Sequence, residues 1–359
     1  AGPQTAAPAR PRRRSTYNRA MRPHPFAPSA IVHLILACGL LALLAGCARE
    51  PEIARRQSYV FGTLVEVSVA DAKPAQPAIA AVLARFDALH RQLHAWQPSE
   101  LSRLNAALSH GERFAASPLL SAMLKDARAL ALASGETFNP AIGHLIALWG
   151  FQSDAPAQRV PPADDIARLV ALHPSMRDLR FDGDTVWSVN PAVQLDLGGY
   201  AKGWALDEAA AILKRHGVKN ALINIGGNVL ALGQAGSRPW RVGIQHPRQP
   251  GVLAELDLRD GEAVGTSGDY QRYFESGGRR YCHLIDPASG RPAAELQSVT
   301  ILATGPHAGV RSDALSKPLF IGPAAGLPSR AARLGLDRYL AVDAGGRLRI
   351  SPALQARLR

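Results

Sequence analysis

The segment Asp313-Ala314-Leu315-Ser316 carries residue types that can do chemistry. It places a carboxylate and a hydroxyl three residues apart, and the apolar pattern predicts that a helix over 312–320 starts at this point. Such a pair serves either as a helix cap or as ligands of a hard cation such as Mg²⁺, which prefers oxygen atoms. The segment alone leaves both interpretations open.

The densest feature of the chain is the segment 195–207, LDLGGYAKGWALD. Its pattern predicts a strand that ends on Gly198 and Gly199, followed by a helix over 200–216. Glycines let a phosphate or metal approach the backbone, and the amides at a helix N-terminus attract anions. Lys202 can neutralise phosphate charge. The alternative is a tight turn whose glycines serve only geometry.

An imidazole, His283, stands three residues before Asp286 in the segment HLIDPASGRP. The ordinary pKa of histidine, about 6.5, lies close to neutral pH, so His283 can act as a general base. A lone histidine is more often structural. Weaker signals are the glycines of 224–228 (NIGGN) and the hydroxyls and carboxylate of 265–270 (GTSGDY), which we place in turns.

A mixture of strands and helices must position these segments. Apolar alternation predicts strands at 58–69, 221–232, 240–244, 252–258, 270–274 and 299–303, with short ones at 179–182, 186–189 and 193–197. Helical spacing predicts helices over 76–96, 118–134, 200–216, 312–320 and 323–334. The order has no regular βαβ period, which favours an α+β fold over a doubly wound sheet.

The first 46 residues have the pattern of a bacterial lipoprotein leader. Arginines precede the apolar run 31–44, whose 14 residues are fewer than the about 20 that span a bilayer. The sequence Leu44-Ala45-Gly46-Cys47 then resembles a lipobox, in which the cysteine is lipidated. We expect a leader over 1–46, a lipidated tether over 47–57 and a folded domain over 58–359. The mature protein is expected on a membrane of the cell envelope, facing the periplasm.

The charge balance argues against a nucleic-acid partner. Six of the 41 Lys and Arg residues lie in the leader and none of the 29 Asp and Glu does, so 35 basic against 29 acidic residues leave a net charge of +6. This modest balance suits phosphates or an anionic membrane surface. Cys282 is the only thiol left outside the leader and the lipidation site, so no disulfide is expected within the mature chain.

In order and spacing, the motifs closely resemble the FAD:protein FMN transferase (ApbE) family, many of whose members are lipoproteins. The resemblance runs through 61–63 (FGT), 102–105 (SRLN), 138–140 (FNP), 148–151 (LWGF), 196–207, 226–228 (GGN), 266–270 (TSGDY), 283–292 and 313–316. It implies an ApbE-like (T-fold-like) arrangement of mixed sheets with packed helices, with an FAD site in the cleft between sub-domains.

The resemblance also implies a reaction, in which FMN passes from FAD to a Ser or Thr hydroxyl of a target protein and AMP is released. The family normally requires Mg²⁺. The implied acceptor is an exported protein or a domain of a membrane redox complex. Phosphoryl-group transfer of this kind requires charge neutralisation on the phosphates and deprotonation of the attacking hydroxyl.

Carried over residue by residue, the resemblance assigns catalytic roles to His283 and Asp313. The implied metal-site positions are Gly199 (through its carbonyl), Asp313, Ser316 and Lys317. The implied cofactor-binding residues are Phe61, Trp96, Thr137, Phe138, Asn139, Asp196, Lys202 and Ile285. For Phe61, Phe138 and Ile285, core packing is the open alternative.

Lys317 departs most from the family pattern, which usually has a metal-binding threonine there. A protonated lysine cannot ligate Mg²⁺. Lys317 either forms an exposed i,i+4 ion pair with Asp313, or its ammonium occupies the region of the usual cation. Asn139 replaces a more usual aspartate and Phe61 a more usual methionine.

Two other functions fit the same phosphate site. One is an FAD-binding or FAD-delivering lipoprotein without transferase activity. The other is an FAD pyrophosphatase, in which water takes the place of the protein hydroxyl.

Overall fold

An antiparallel sheet forms the centre of the fold. The computed structural model describes residues 53–71, 75–153 and 159–359, so the predicted leader and Cys47 lie outside the described residues. Within these ranges the sheet has eight strands. In spatial order they are β1 (Ala54–Val60), β2 (Thr63–Val69), β6 (Ala221–Ile225), β7 (Asn228–Leu232), β10 (Ala263–Gly268), β15 (Leu296–Ala303), β16 (Tyr339–Asp343) and β17 (Leu348–Ile350).

Smaller sheets complete the strand content of the described residues. Three strands pair in the order β3 (Phe114–Ala115), β5 (Thr185–Ser188) and β4 (Leu179–Asp182). Three antiparallel pairs are β8 (Trp240–Gln245) with β9 (Val252–Leu258), β11 (Tyr273–Ser276) with β12 (Arg279–Cys282), and β13 (Ile285–Asp286) with β14 (Arg291–Pro292). The single cysteine in the described ranges, Cys282, is buried and free.

Helices cover the sheets. They are α1 (Ala75–Gln92), α2 (Glu100–Ser109), α3 (Pro118–Ala133), α4 (Gly143–Leu148), α5 (Ala163–Ala171), α6 (Ala201–Arg215), α7 (Ala308–Ile321), α8 (Leu327–Arg333) and α9 (Pro352–Gln355), with 3₁₀ turns at Met176–Asp178 and Ala324–Gly326. None of the helices in the described ranges has the length and apolar character needed to cross a membrane. The predicted α+β class is confirmed.

The predicted single strand over 58–69 is wrong, because a turn divides it. Phe61 and Gly62 have φ angles of +57° and +69° and reverse the chain between β1 and β2. The first strand also begins at Ala54, inside the segment assigned to the tether. Residues 54–57 therefore belong to the central sheet.

Residues 193–197 alternate as predicted but join no sheet. Val193, Leu195 and Leu197 are buried, which produces the pattern, yet the segment meets residues 140–143 only through an isolated bridge from Gln194 to Ile142 and a hydrogen bond from the Asp196 N–H to the carbonyl of Pro140 over 2.8 Å. The buried side chain of Asn105 holds the backbone of Leu195 between these two contacts. Its amide donates to the carbonyl of Leu195 over 2.9 Å and its oxygen accepts the Leu195 N–H over 2.7 Å.

The predicted single strand over 221–232 is also wrong, because a turn at Gly226 and Gly227 divides it into β6 and β7. Several other element boundaries differ from the sequence predictions. Residues 265–268, predicted as a turn, belong to strand β10, and the strand predicted from Tyr270 begins only at Tyr273. The helix predicted to open near Asp313 begins at Ala308. Asp313 therefore lies in the second turn of α7, and its interpretation as a helix cap is wrong.

An aspartate from α6 holds the start of α7. The carboxylate of Asp207 accepts the N–H groups of Gly309 and Val310, each over 2.9 Å. His307, at the cap position, makes no side-chain hydrogen bond to the helix. Asp207 thus supplies the negative charge that a helix N-terminus favours.

Glycines bring α6, α7 and the central sheet close together. A methyl group on Gly203 of α6 would lie 2.5 Å from the carbonyl oxygen of Gly309 and 2.7 Å from Cα of Val310. A methyl group on Gly265 of β10 would lie 2.3 Å from the carbonyl oxygen of Ser312. Helix α7 is therefore packed tightly between α6 and β10, and nearly all of its residues are buried.

Candidate functional site

Asp313 lies at the crossing of α6 and α7, and its side chain is fully buried. One carboxylate oxygen, Oδ2, accepts the backbone N–H of Gly203 over 2.9 Å. The other, Oδ1, accepts a hydrogen bond from the ammonium of Lys317. A buried carboxylate requires such partners, because burial without them is strongly unfavourable.

Lys317 forms a buried ion pair with Asp313. Its Nζ also donates to the main-chain carbonyl of Asp313 over 2.8 Å, and the residue is only 8% exposed. Burial lowers the pKa of Lys317, the Asp313 carboxylate opposes that shift, and the ammonium of Lys202 adds to it. The interpretation as an exposed ion pair is therefore wrong.

Ser316 connects α7 to the central sheet. Its hydroxyl donates to the carbonyl of Asp313 over 2.8 Å and lies 2.8 Å from the hydroxyl of Ser267 on β10. Since the Ser316 proton is engaged by the carbonyl, Ser267 is the donor in the second bond. Both hydroxyls are buried. Ser316 therefore stabilises the helix position in this arrangement.

The glycine turn before α6 lies over the side chain of Lys317. A methyl group on Gly199 would lie 3.1 Å from Cε of Lys317 and 3.9 Å from the ring of Phe138. Asp196 shapes this turn, since its carboxylate accepts the N–H of Gly198 over 2.9 Å and the amide of Gln152 over 3.0 Å. The structure thus brings the four residues of the predicted metal site together.

His283 lies between β12 and β13, with Nδ1 3.1 Å from the carbonyl oxygen of Arg272. A carbonyl only accepts, so Nδ1 carries the proton and the lone pair is on Nε2. Burial, aided by the positive charges of Arg272, Lys202 and Lys317, lowers the pKa of His283 to about 3. The imidazole is therefore neutral at neutral pH.

Three cations influence His283, and each comes from a different part of the chain. Lys202 lies in the first turn of α6, and its ammonium has no hydrogen-bond or ion-pair partner among the described residues. Arg272 is fixed by its donation to the carbonyl of Phe151 over 2.7 Å. Arg272 belongs to none of the sequence motifs and has no spacing that predicts its place in the site. Lys317 completes this group, which we call the cation cluster.

Two of the predicted cofactor-binding residues, Phe61 and Trp96, lie at the two ends of one row of aromatic rings. Phe61 packs edge-on against His90, with ring centroids 5.9 Å apart. His90 lies 5.3 Å from His94, and His94 lies 4.5 Å from Trp96. Trp96 is 39% exposed, so the row ends at a surface that a planar ligand can reach.

Other predicted cofactor-binding residues lie within packed parts of the fold. Thr137, Phe138 and Asn139 follow α3, and Phe138 is only 5% exposed. The Asn139 amide bonds to the N–H of Ala141 over 2.9 Å and to the carbonyl of Pro174 over 3.0 Å. Ile285 packs with Trp149 and other buried apolar residues. Core packing thus accounts for Ile285, and the FAD cleft stays a prediction.

Cationic side chains, a neutral imidazole and a glycine turn together form a site whose charge suits an anionic ligand. The chain belongs to the ApbE family, whose model matches residues 61–339. The family predicted from the motifs is confirmed.

Relatives and solved structures agree on this family. The chain is 43% identical over 332 residues to the FAD:protein FMN transferase of Rhodobacter capsulatus, covering 90% of this chain but only 62% of that protein. It is 32% identical to the enzyme of the same name from Vibrio cholerae, covering 75% and 82% of the two chains. The crystal structure of the ApbE protein from Thermotoga maritima matches with a TM-score of 0.79 and 30% identity, over 86% of this chain and all of that one.

The arrangement at Asp313 does not fit a divalent cation. The ammonium of Lys317 donates hydrogen bonds to Oδ1 and to the main-chain carbonyl of Asp313. The other carboxylate oxygen of Asp313, Oδ2, accepts the N–H of Gly203. Across residues 53–71, 75–153 and 159–359, no three His, Cys, Asp or Glu side chains are grouped to hold a metal. The ammonium of Lys317 thus occupies the oxygen atoms of Asp313 that a divalent cation would need.

We predict that His283 makes the stability of the protein depend on pH. The pKa is about 6.5 in an unfolded chain and about 3 in the fold, so only the unfolded state gains a proton between these values. The free energy of unfolding should therefore fall between about pH 7 and about pH 4, and fall less in His283→Gln. Urea unfolding of both proteins across this range measures it. If the free energy of unfolding changed equally with pH in both proteins, the low pKa of His283 would be contradicted.

Proposed function

We propose that this chain transfers FMN from FAD to a Ser or Thr hydroxyl of a target protein and releases AMP. The observation that carries the proposal is the position of His283, whose Nδ1 atom donates to the carbonyl of Arg272 and whose ring lies among the charges of Lys202, Arg272 and Lys317. A cluster of this charge suits the pyrophosphate of FAD, and the neutral imidazole can accept a proton. The names of the relatives in Rhodobacter and Vibrio support the same reaction.

The proposed reaction forms one bond to phosphorus and breaks another, and groups of this chain accept the proton and stabilise the charge. The acceptor hydroxyl oxygen forms a bond to the phosphorus of the FMN half of FAD. The bond from this phosphorus to the bridging oxygen breaks, and AMP leaves with the electron pair. The hydroxyl proton passes to Nε2 of His283, and the cation cluster stabilises the charge that develops on the phosphate oxygens.

Substrate binding should make His283 a stronger base. Burial is the largest cause of its low pKa in the free protein, and the positive charges of Arg272, Lys202 and Lys317 add to it. A pyrophosphate beside them adds two negative charges, which oppose their effect and favour the protonated imidazole. The charge of the pyrophosphate therefore raises the pKa of His283 above its value in the free protein, and proton transfer becomes more favourable.

The aromatic row supports a position for the flavin ring. Trp96 offers a flat surface at its exposed end, and Phe61 lies at the other end. Flat apolar side chains pack well against a planar ring system. We place the isoalloxazine along this row and the pyrophosphate at the cation cluster.

The proposal includes a location and a partner. The lipobox at Cys47 supports attachment to a membrane of the cell envelope, with the folded part in the periplasm. An anchored transferase meets only acceptors in the same space. The acceptor is therefore an exported protein or a domain of a membrane redox complex, and FAD must reach the same compartment.

Mass spectrometry of an acceptor tests the proposed transfer. The full chain is incubated with FAD and an exported flavin-accepting domain, and the same domain with its target Ser or Thr changed to Ala is the control. We expect the mass of one FMN on the unaltered domain only, with AMP in solution. Free FMN and AMP without protein labelling would show a pyrophosphatase, and FAD bound but unchanged would show a binding protein. Either result overturns the proposal.

A further inference from the structure

We infer that the ammonium of Lys317 takes the place of a divalent cation in this chain, so that phosphoryl transfer proceeds without Mg²⁺. The inference rests on the proposed transfer of FMN. It starts from the position of the ammonium, which bonds to both the carboxylate and the carbonyl of Asp313. Carboxylate and carbonyl oxygens are the atom types that a hard cation prefers.

Burial makes exchange of Lys317 for a metal unfavourable. Asp313 is 0% exposed and Lys317 is 8% exposed, so each needs the other as its counter-charge. The aliphatic part of Lys317 also packs against Gly199. A metal at Asp313 would have to displace the ammonium from two hydrogen bonds and from this packing.

The cation cluster has enough charge for the substrate without a metal. Lys202, Arg272 and Lys317 carry three positive charges around His283, and a pyrophosphate diester carries two negative charges. Partial neutralisation of Lys317 by Asp313 still leaves a net positive site. Charge neutralisation, the main demand of phosphoryl transfer, is therefore met by side chains.

The ammonium of Lys317 can also donate one further hydrogen bond. An ammonium has three N–H groups, and two of them are engaged by the carboxylate and the carbonyl of Asp313. The third is available to a phosphate oxygen of FAD. Lys317 can therefore contact the substrate directly, in the way that a bound cation contacts a phosphate.

Two measurements on the full chain test the inference, and only one of them depends on activity. The first is Mn²⁺ binding by electron paramagnetic resonance, with thermal melting in Mg²⁺ and in EDTA. We expect the wild type to bind no Mn²⁺ saturably and to melt equally in both. Lys317→Thr should bind one Mn²⁺ and melt higher in Mg²⁺ than in EDTA. Lys214→Thr, which changes an exposed lysine of α6, should behave as the wild type.

The second measurement is the rate of FMN transfer in EDTA and in Mg²⁺. The wild type should work equally in both, and Lys317→Met should be slower by about 100-fold or more in both, as for the loss of one charge-stabilising donor. Lys317→Thr should depend on Mg²⁺. Inactivation of the wild type by EDTA, reversed by Mg²⁺, would overturn the inference.

The two proposals fail in different ways. If the wild type transfers no FMN under any condition, the proposed function is wrong, and Mn²⁺ binding decides the question at Lys317. Saturable Mn²⁺ binding by the wild type overturns the inference even if Lys317→Thr does not fold. Absence of such binding supports it.

Discussion

His283→Ala should lower the rate of FMN transfer by about 100-fold or more, while FAD still binds. The variant loses the neutral Nε2 atom that accepts the hydroxyl proton, and general-base catalysis typically contributes at least this factor. The cation cluster remains, so affinity for the pyrophosphate is retained. FAD fluorescence titration measures binding, and mass spectrometry of the acceptor over time measures transfer.

A matched control separates this role from a structural one. His216→Ala changes an exposed histidine at the end of α6 and should leave both measurements unchanged. In the wild type, the rate should rise with pH as His283 loses its proton in the FAD complex. A His283→Ala protein that transfers FMN at the wild-type rate would remove His283 from the mechanism.

Gly203→Ala should lower the free energy of unfolding by about 2–3 kcal/mol, because the added methyl group has no space. It would lie 2.5 Å from a carbonyl oxygen, 2.7 Å from a Cα atom and 2.8 Å from Cβ of Asp313. These atoms belong to backbone or to a buried side chain, so α6 and α7 must separate. The same movement lengthens the hydrogen bond from Gly203 to Asp313.

Urea unfolding measures this loss, with Gly345→Ala as the control. Gly345 is exposed, and a methyl group there meets only a carboxylate oxygen at 3.4 Å, an ordinary contact. We expect the control to unfold as the wild type does. If the urea midpoint and the slope of unfolding were unchanged in Gly203→Ala, α6 and α7 could move apart with little loss of stability, contrary to this prediction.

The sequence motifs contain the residues that lie together at the site, but they do not contain all the residues that hold the site in place. Gly199, Asp313 and Lys317 lie together as expected, because each belongs to a segment whose chemistry its own residues indicate. Asp207 caps a helix 102 residues further along the chain, and Arg272 acts on His283 through its charge. Residues that meet from distant segments form no local motif, so a single sequence does not show that they are in contact.

The predicted bounds of two elements are wrong because their residues are buried by other parts of the fold than the apolar pattern suggests. Residues 193–197 alternate because one side faces the core, yet Asn105 rather than a neighbouring strand satisfies the backbone of Leu195. Helix α7 is buried on almost every side, so its apolar residues show no stripe from which to place the start at Ala308. Periodicity reports which residues are buried, and the partner that buries them comes from the rest of the fold.

The reciprocal carboxylate bonds between α6 and α7 have a consequence for local opening. Asp207 on α6 holds the amides of Gly309 and Val310, and Asp313 on α7 holds the amide of Gly203. Neither helix can fray at this crossing without releasing amides of the other. The three amide protons therefore belong to one cooperative unit, whose exchange with solvent water requires the two helices to open together.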